Sequence, residues 1–345
     1  MTPHLPSLDA VRGFAVLVVF VSHAANDGML PEWLGNGAGQ MGVQLFFLLS
    51  GYLMAMCYST RPASITNIRQ FAIGRIARIL PLYWLVLVLS ALAAGAGLSP
   101  HYTFTSWTDL TRAVAFVVAP QELWSIPVEV QFYGVFVLLW MAIGPVRQHI
   151  GAITCTAVLI AFFWRGWVSD AMIVVPYLPC FLIGLLICLR QVRLSKVITA
   201  LGHPATTIAC LALFVLNLPG VRGAFDLELV SGFYPKMWLD PFRLLAVALV
   251  FLSALSIDNR IWKLPTGLAY LGKISFGVYL IHRPVMKAAE GLHDHIGGVL
   301  LAIAVLMVSI AIATLSLNLF ERPVQQALKA RAVGLTRQSR RPATG

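Results

Sequence analysis

The chain has 345 residues, of which 59% are hydrophobic and 11% charged. Soluble domains carry about a quarter charged residues, so this composition excludes a water-soluble globular protein and indicates a chain built in lipid. The net charge of +11, from 25 Lys and Arg against 14 Asp and Glu, would suggest a nucleic-acid partner in a soluble protein. Here the cations sit mainly on alternate loops between apolar runs, as membrane topology demands, and no nucleic acid is expected.

Apolar windows of about 20 residues predict ten transmembrane helices, near 10–28, 38–58, 79–97, 123–143, 150–168, 171–189, 199–219, 238–257, 267–286 and 298–320. The run 111–119 is too short to span and reads as re-entrant or interfacial. No basic n-region or small-residue cleavage site marks a removable signal peptide, so the first helix is expected to be retained. Arg61, Arg69, Arg75, Arg78, Arg190, Arg193 and Lys196 fall on one set of loops, with Arg322 and Lys329 in the tail. Arg112, Arg165, Arg222, Lys236 and Lys287 fall on the other. The bias predicts an all-α polytopic fold with both termini cytoplasmic. Residues 1–327 form one transmembrane domain, and the basic stretch 328–345 reads as a disordered cytoplasmic tail. Cys57, Cys155, Cys180, Cys188 and Cys210 lie in apolar runs without metal-ligand spacing, so neither a metal nor a disulfide scaffold is expected.

Ionisable residues inside spans are expensive and tend to face a bundle interior or a wet cavity. In the first span, RGFAVLVVFVSH places His23 eleven residues beyond Arg12, about 16 Å along the helix axis. The histidine is either a base in a wet site or a structural contact between helices. Glu129, in ELWSIPVEVQFY, reaches a similar depth on another helix. Paired with His23 it would fix the tautomer and raise the basicity of the imidazole; otherwise it is bonded to Trp124 or Tyr133. Arg75 and Arg78, three apart in FAIGRIARILPLYW, share a helix face. They can clamp a phosphate group or act as ordinary topology anchors. Ser50 and Gly51 in GVQLFFLLSGYL permit close helix approach. Ser275, Tyr279 and His282, spaced four and three apart in ISFGVYLIHRP, can line one face. Glu321 and Arg322 in FERP stand at the end of the last span, where they can cap it or pair with the arginines.

This ordered set of motifs resembles the acyltransferase-3 family of integral membrane O-acyltransferases, with the likeness running nearly the length of the chain. The resemblance implies ten membrane helices in a bacterial inner membrane. It also implies transfer of an acyl group, acetyl or succinyl, from acyl-coenzyme A on the cytoplasmic side to a hydroxyl of an envelope or lipid-linked carbohydrate. On this resemblance His23 is the catalytic histidine and Arg75 and Arg78 contact the donor, with Arg12 and Glu129 in the same set. Ser125, Tyr133, Tyr279 and His282 are the candidates for substrate or oxyanion contact. The rival reading is a transporter of a lipid-linked or anionic sugar, using the same histidine and glutamate for proton coupling.

Overall fold

The computed structural model describes residues 5–143, 158, 174–225, 238–257 and 266–338, and every regular element among them is helical. Helix α1 (Pro6–Asn26) begins with Pro6 at its first position, where the missing N–H costs nothing. It ends at the turn carrying Asp27 and Gly28. Helix α2 (Gly39–Tyr58) follows a short 3₁₀ turn, and α3 (Ile65–Gly95) is capped by the Ser64 hydroxyl, which accepts from the Asn67 N–H at 3.3 Å. The short α4 (Trp107–Val114) overlaps the run 111–119 only at 111–114. A 3₁₀ turn (Gln121–Trp124) leads into α5 (Ser125–Ile143). Beyond it come α6 (Leu178–Leu189), α7 (Gln191–Leu201), α8 (Pro204–Leu216), α9 (Pro219–Ala224), α10 (Pro241–Ile257), α11 (Thr266–Ala289) and α12 (Gly298–Ser316). A π-helical segment, Leu317–Glu321, joins α12 to α13 (Arg322–Gln338).

The expectation of ten spans is not met. Among the described residues five helices are long and apolar enough to cross a membrane, or six if α6 and α7, bent by 99° to each other, count as one. Helices α8 and α10 have 13 and 17 residues, about 20 and 25 Å against a hydrocarbon core of about 30 Å. Helix α11 is long enough, but Lys273, His282 and Arg283 make it too polar to belong to that set. The expected span 150–168 lies outside the described residues, apart from 158. The expectation of cytoplasmic termini rests on the placement of Lys and Arg, which the number of spans does not address. The stretch expected to be disordered from Leu328 continues as α13 to Gln338.

The site is positioned by two close helix pairs. A Cβ on Gly272 of α11 would run into the Asp9 carbonyl of α1, and one on Gly184 of α6 into the Leu48 carbonyl of α2. In lipid no hydrophobic force draws helices together, so close backbone approach through small residues is what locks such pairs. Helix α1 packs against both α2 and α11, which sets their polar faces around a common interior.

Candidate active site

One cavity lies between α1, α2, α3, α5 and α11 and encloses about 680 Å³, part of it open to the outside. Arg12, Arg75 and Arg78 line it together with Ser50, Ser125, Glu129, Ser275 and Tyr279. The i, i+3 spacing of Arg75 and Arg78 puts both on the face turned inwards. Arg12 pairs with Asp9 at 3.1 Å. The Arg75 guanidinium stands 5.8 Å from the ring centres of both Phe71 and Tyr133. Glu129 accepts hydrogen bonds from Ser50 Oγ and Tyr133 OH, each at 2.8 Å. Among the lining residues three guanidiniums thus stand against one carboxylate, Glu129, with Asp9 paired to Arg12 from outside the lining. This leaves a surplus of positive charge suited to a phosphate-bearing ligand.

His23 is not in that cavity, and its carboxylate neighbour is not Glu129. The imidazole Nδ1 lies 3.8 Å from Glu122 Oε1, close enough for electrostatic attraction but too long for a hydrogen bond. Glu122 also binds His101 Nε2 at 2.7 Å and Arg283 Nε at 3.0 Å. Arg283 reaches on to Asp27 at 2.5 Å. The rings of His23 and His282 have centroids 5.4 Å apart. His282 is fully buried, and its Nδ1 sits 3.0 Å from the Val278 carbonyl. A carbonyl only accepts, so Nδ1 carries the proton and the buried Nε2 is an acceptor without a hydrogen-bond partner among the described residues.

The local backbone explains why Glu122 turns inward. Gln121 has φ +46°, in the left-handed region that non-glycine residues seldom occupy, and such conformations concentrate at functional sites. It opens the 3₁₀ turn that follows Pro120 and leads into α5.

Tyr279 joins the two clusters. Ser125 Oγ donates to Tyr279 OH at 2.8 Å, and Tyr279 OH donates to the Glu122 main-chain carbonyl at 2.7 Å. The Tyr279 ring lies 6.1 Å from that of His282. Of the residues singled out from sequence, Arg12, Arg75, Arg78, Ser125, Glu129 and Tyr279 therefore share the arginine cavity, with Tyr133 attached through Glu129. His23 and His282 form the neighbouring cluster. The pairing of His23 with Glu129 is replaced by one with Glu122. Sequence reasoning missed Glu122, His101 and Arg283. Two of these lie inside motifs that were read, Glu122 at the start of ELWSIPVEVQFY and Arg283 in ISFGVYLIHRP.

Three relatives extend the picture. YrhL of Bacillus subtilis is 25% identical over 93% of this chain and 55% of its own length. The acyltransferase MdmB of Streptomyces mycarofaciens is 26% identical over 95% of this chain and 93% of its own. The peptidoglycan O-acetyltransferase OatA of Listeria monocytogenes is 26% identical over 40% of this chain and 24% of its own. The chain thus spans about half of YrhL and a quarter of OatA. No solved structure matches it significantly. The model of the acyltransferase-3 family, described as an acyltransferase domain, matches residues 5–317, and the chain belongs to that family of multi-pass membrane proteins.

Proposed function

We propose that this protein transfers a short acyl group, acetyl by preference, from acyl-coenzyme A to a hydroxyl of an envelope or lipid-linked carbohydrate, with His23 as general base. The observation that carries the reading is the arginine cavity joined through Tyr279 to the His23–Glu122 pair. The similarity to OatA, a peptidoglycan O-acetyltransferase, supports a glycan acceptor.

Arg12, Arg75 and Arg78 bind the phosphates of the donor, which places that end of the cavity on the cytoplasmic side, where coenzyme A is made. The acyl arm extends past Ser50 and Ser125 towards Tyr279. Glu122 favours the tautomer with the proton on His23 Nδ1, so Nε2 accepts the proton of the incoming hydroxyl. The oxygen forms its bond to the acyl carbon, the carbon–sulfur bond breaks, and the imidazolium returns its proton to the departing thiolate. Ser125 and Tyr279 are the hydroxyls placed to stabilise the oxyanion, once the bond of Tyr279 to the Glu122 carbonyl and that of Ser125 to Tyr279 are exchanged for bonds to the substrate. Glu122 thereby takes the orienting role expected of Glu129. Glu129 instead fixes Ser50 and Tyr133 beside the arginines.

The test is the ester content of the host's envelope glycans by mass spectrometry. A deletion strain is complemented with wild type or His23→Ala at equal membrane abundance. One acyl mass lost in the deletion strain, restored by wild type and absent with His23→Ala, is expected. Restoration by His23→Ala would remove the histidine from catalysis and favour export of a sugar substrate instead.

A further inference from the structure

A second cavity, unused by the mechanism so far, opens on the side of His23 away from the arginines. Asp27, His101, Arg283, Lys287, Glu290 and His293 line it, and it encloses about 1130 Å³ including its mouth. It is built from the ends of helices whose other reaches form the arginine cavity. Asp27 lies fifteen residues beyond Arg12 in the same stretch of chain, and Arg283 lies eight beyond Ser275 on α11, about 12 Å along the axis.

The two cavities differ in charge. Three guanidiniums dominate the first. In the second, two carboxylates stand against two cations, with two imidazoles alongside. Lys287 bonds Glu290 and Arg283 bonds Asp27, so neither sign prevails. A polyanionic donor gains little from such a wall. A saccharide gains much, because each of its hydroxyls both donates and accepts and meets an acceptor or a donor at every turn. The catalytic pair lies directly behind one wall of this cavity. Arg283 and His101 line the wall and hold Glu122, which faces His23. A hydroxyl entering there approaches the base past His101 and Arg283, without crossing the arginine cavity.

We infer that this second cavity is the acceptor site, and that its ligand is a neutral saccharide whose hydroxyl is presented to His23 from the side opposite the thioester. The inference rests on the acyl-transfer reading above and adds the place and chemical class of the acceptor.

The test blocks the cavity in the intact protein. Lys287, half-exposed at its mouth, is replaced in Lys287→Cys and labelled with a bulky maleimide. Val192→Cys, on the exposed face of α7, and the wild type receive the same reagent, which controls for the native cysteines. Membranes from cells making each protein are given isotope-labelled acetyl-coenzyme A, and esters on membrane glycans are read by mass spectrometry. Coenzyme A binding is measured on the purified proteins. The expected result is a fall of roughly tenfold or more in glycan ester formation when Lys287→Cys is labelled, with coenzyme A binding kept and labelled Val192→Cys unaffected. Full ester formation after labelling would overturn the inference. So would loss of coenzyme A binding, which would put this cavity on the donor route, or ester found on lipid or peptide in place of saccharide. No ester from unlabelled wild type would overturn the acyl-transfer reading itself, and the acceptor site with it.

Discussion

Glu122→Gln separates the observed site from the one read in sequence. The carboxylate holds His101 at 2.7 Å and Arg283 at 3.0 Å, and it faces His23 at 3.8 Å. On the proposed mechanism His23 becomes an imidazolium in the transition state. At 3.8 Å and an effective dielectric constant of about 20, its attraction to the carboxylate is worth about 4 kcal/mol. Arg283 shares the same carboxylate oxygen and repels the new charge, so roughly half of that survives. A rise of about 2–3 kcal/mol in the barrier is a fall of roughly 30- to 150-fold in kcat. Gln keeps the shape and one acceptor, so the fold should be retained, and the donor's KM should be unchanged if, as proposed, the arginines of the other cavity bind the donor. The assay is release of coenzyme A thiol against acyl-coenzyme A concentration in detergent-solubilised protein. Wild-type kcat in Glu122→Gln, together with loss of kcat in Glu129→Gln, would refute the reasoning and restore the pairing of His23 with Glu129.

The other expectations concern the donor end and the packing beneath it. Arg78→Ala should raise the donor's KM by about tenfold or more, as loss of a charge-assisted phosphate contact of about 1.5–3 kcal/mol requires; equal coenzyme A binding by mutant and wild type would make this arginine a topology anchor. Glu321, buried at the π-helical segment, bonded by Ser316 and within electrostatic reach of Arg78, should matter in the same measurement. Glu321→Gln should change the donor's KM more than kcat. Gly272→Val drives a side chain into the Asp9 carbonyl and should cost at least about 2–3 kcal/mol, read as a lowered thermal midpoint in detergent, and a midpoint equal to wild type would show that α1 and α11 can separate at little cost.

What was legible in the sequence follows from what a single helix can encode. The shared face of Arg75 and Arg78 is a property of one helix, and both do line one cavity. The depth of His23 relative to Arg12 is likewise a count of residues along α1. The partner of His23 is different, because it depends on how α5 is rotated and on the turn that leads into it. Depth alone favoured Glu129, whereas the left-handed Gln121 and the 3₁₀ turn after Pro120 carry Glu122 to the imidazole. The surplus of predicted spans has a similar cause. A hydropathy window scores a residue buried against protein as it scores one facing lipid. The breaks were nonetheless written in the chain, since Pro204, Pro219 and Pro241 each open a helix and cut windows that composition alone had joined. Helix α11 shows the converse. Its polar residues lowered its hydropathy, and among them Ser275 and Tyr279 line the first cavity and Arg283 and Lys287 the second.

The division into two cavities answers a physical difficulty in the proposed reaction. A donor bearing several phosphates needs concentrated positive charge, yet an imidazole placed among three guanidiniums would be hindered from accepting a proton, because its charged form would be repelled. Removing His23 from the arginine cavity, and giving it Glu122 in place of Glu129, relieves that repulsion. Glu129 is then left where its negative charge offsets Arg12, Arg75 and Arg78. The separation requires a link between the thioester and the base. The hydrogen-bonded series from Ser125 through Tyr279 to the Glu122 carbonyl is the one connection of that kind seen among the described residues, which makes Tyr279 the point at which donor and acceptor must meet.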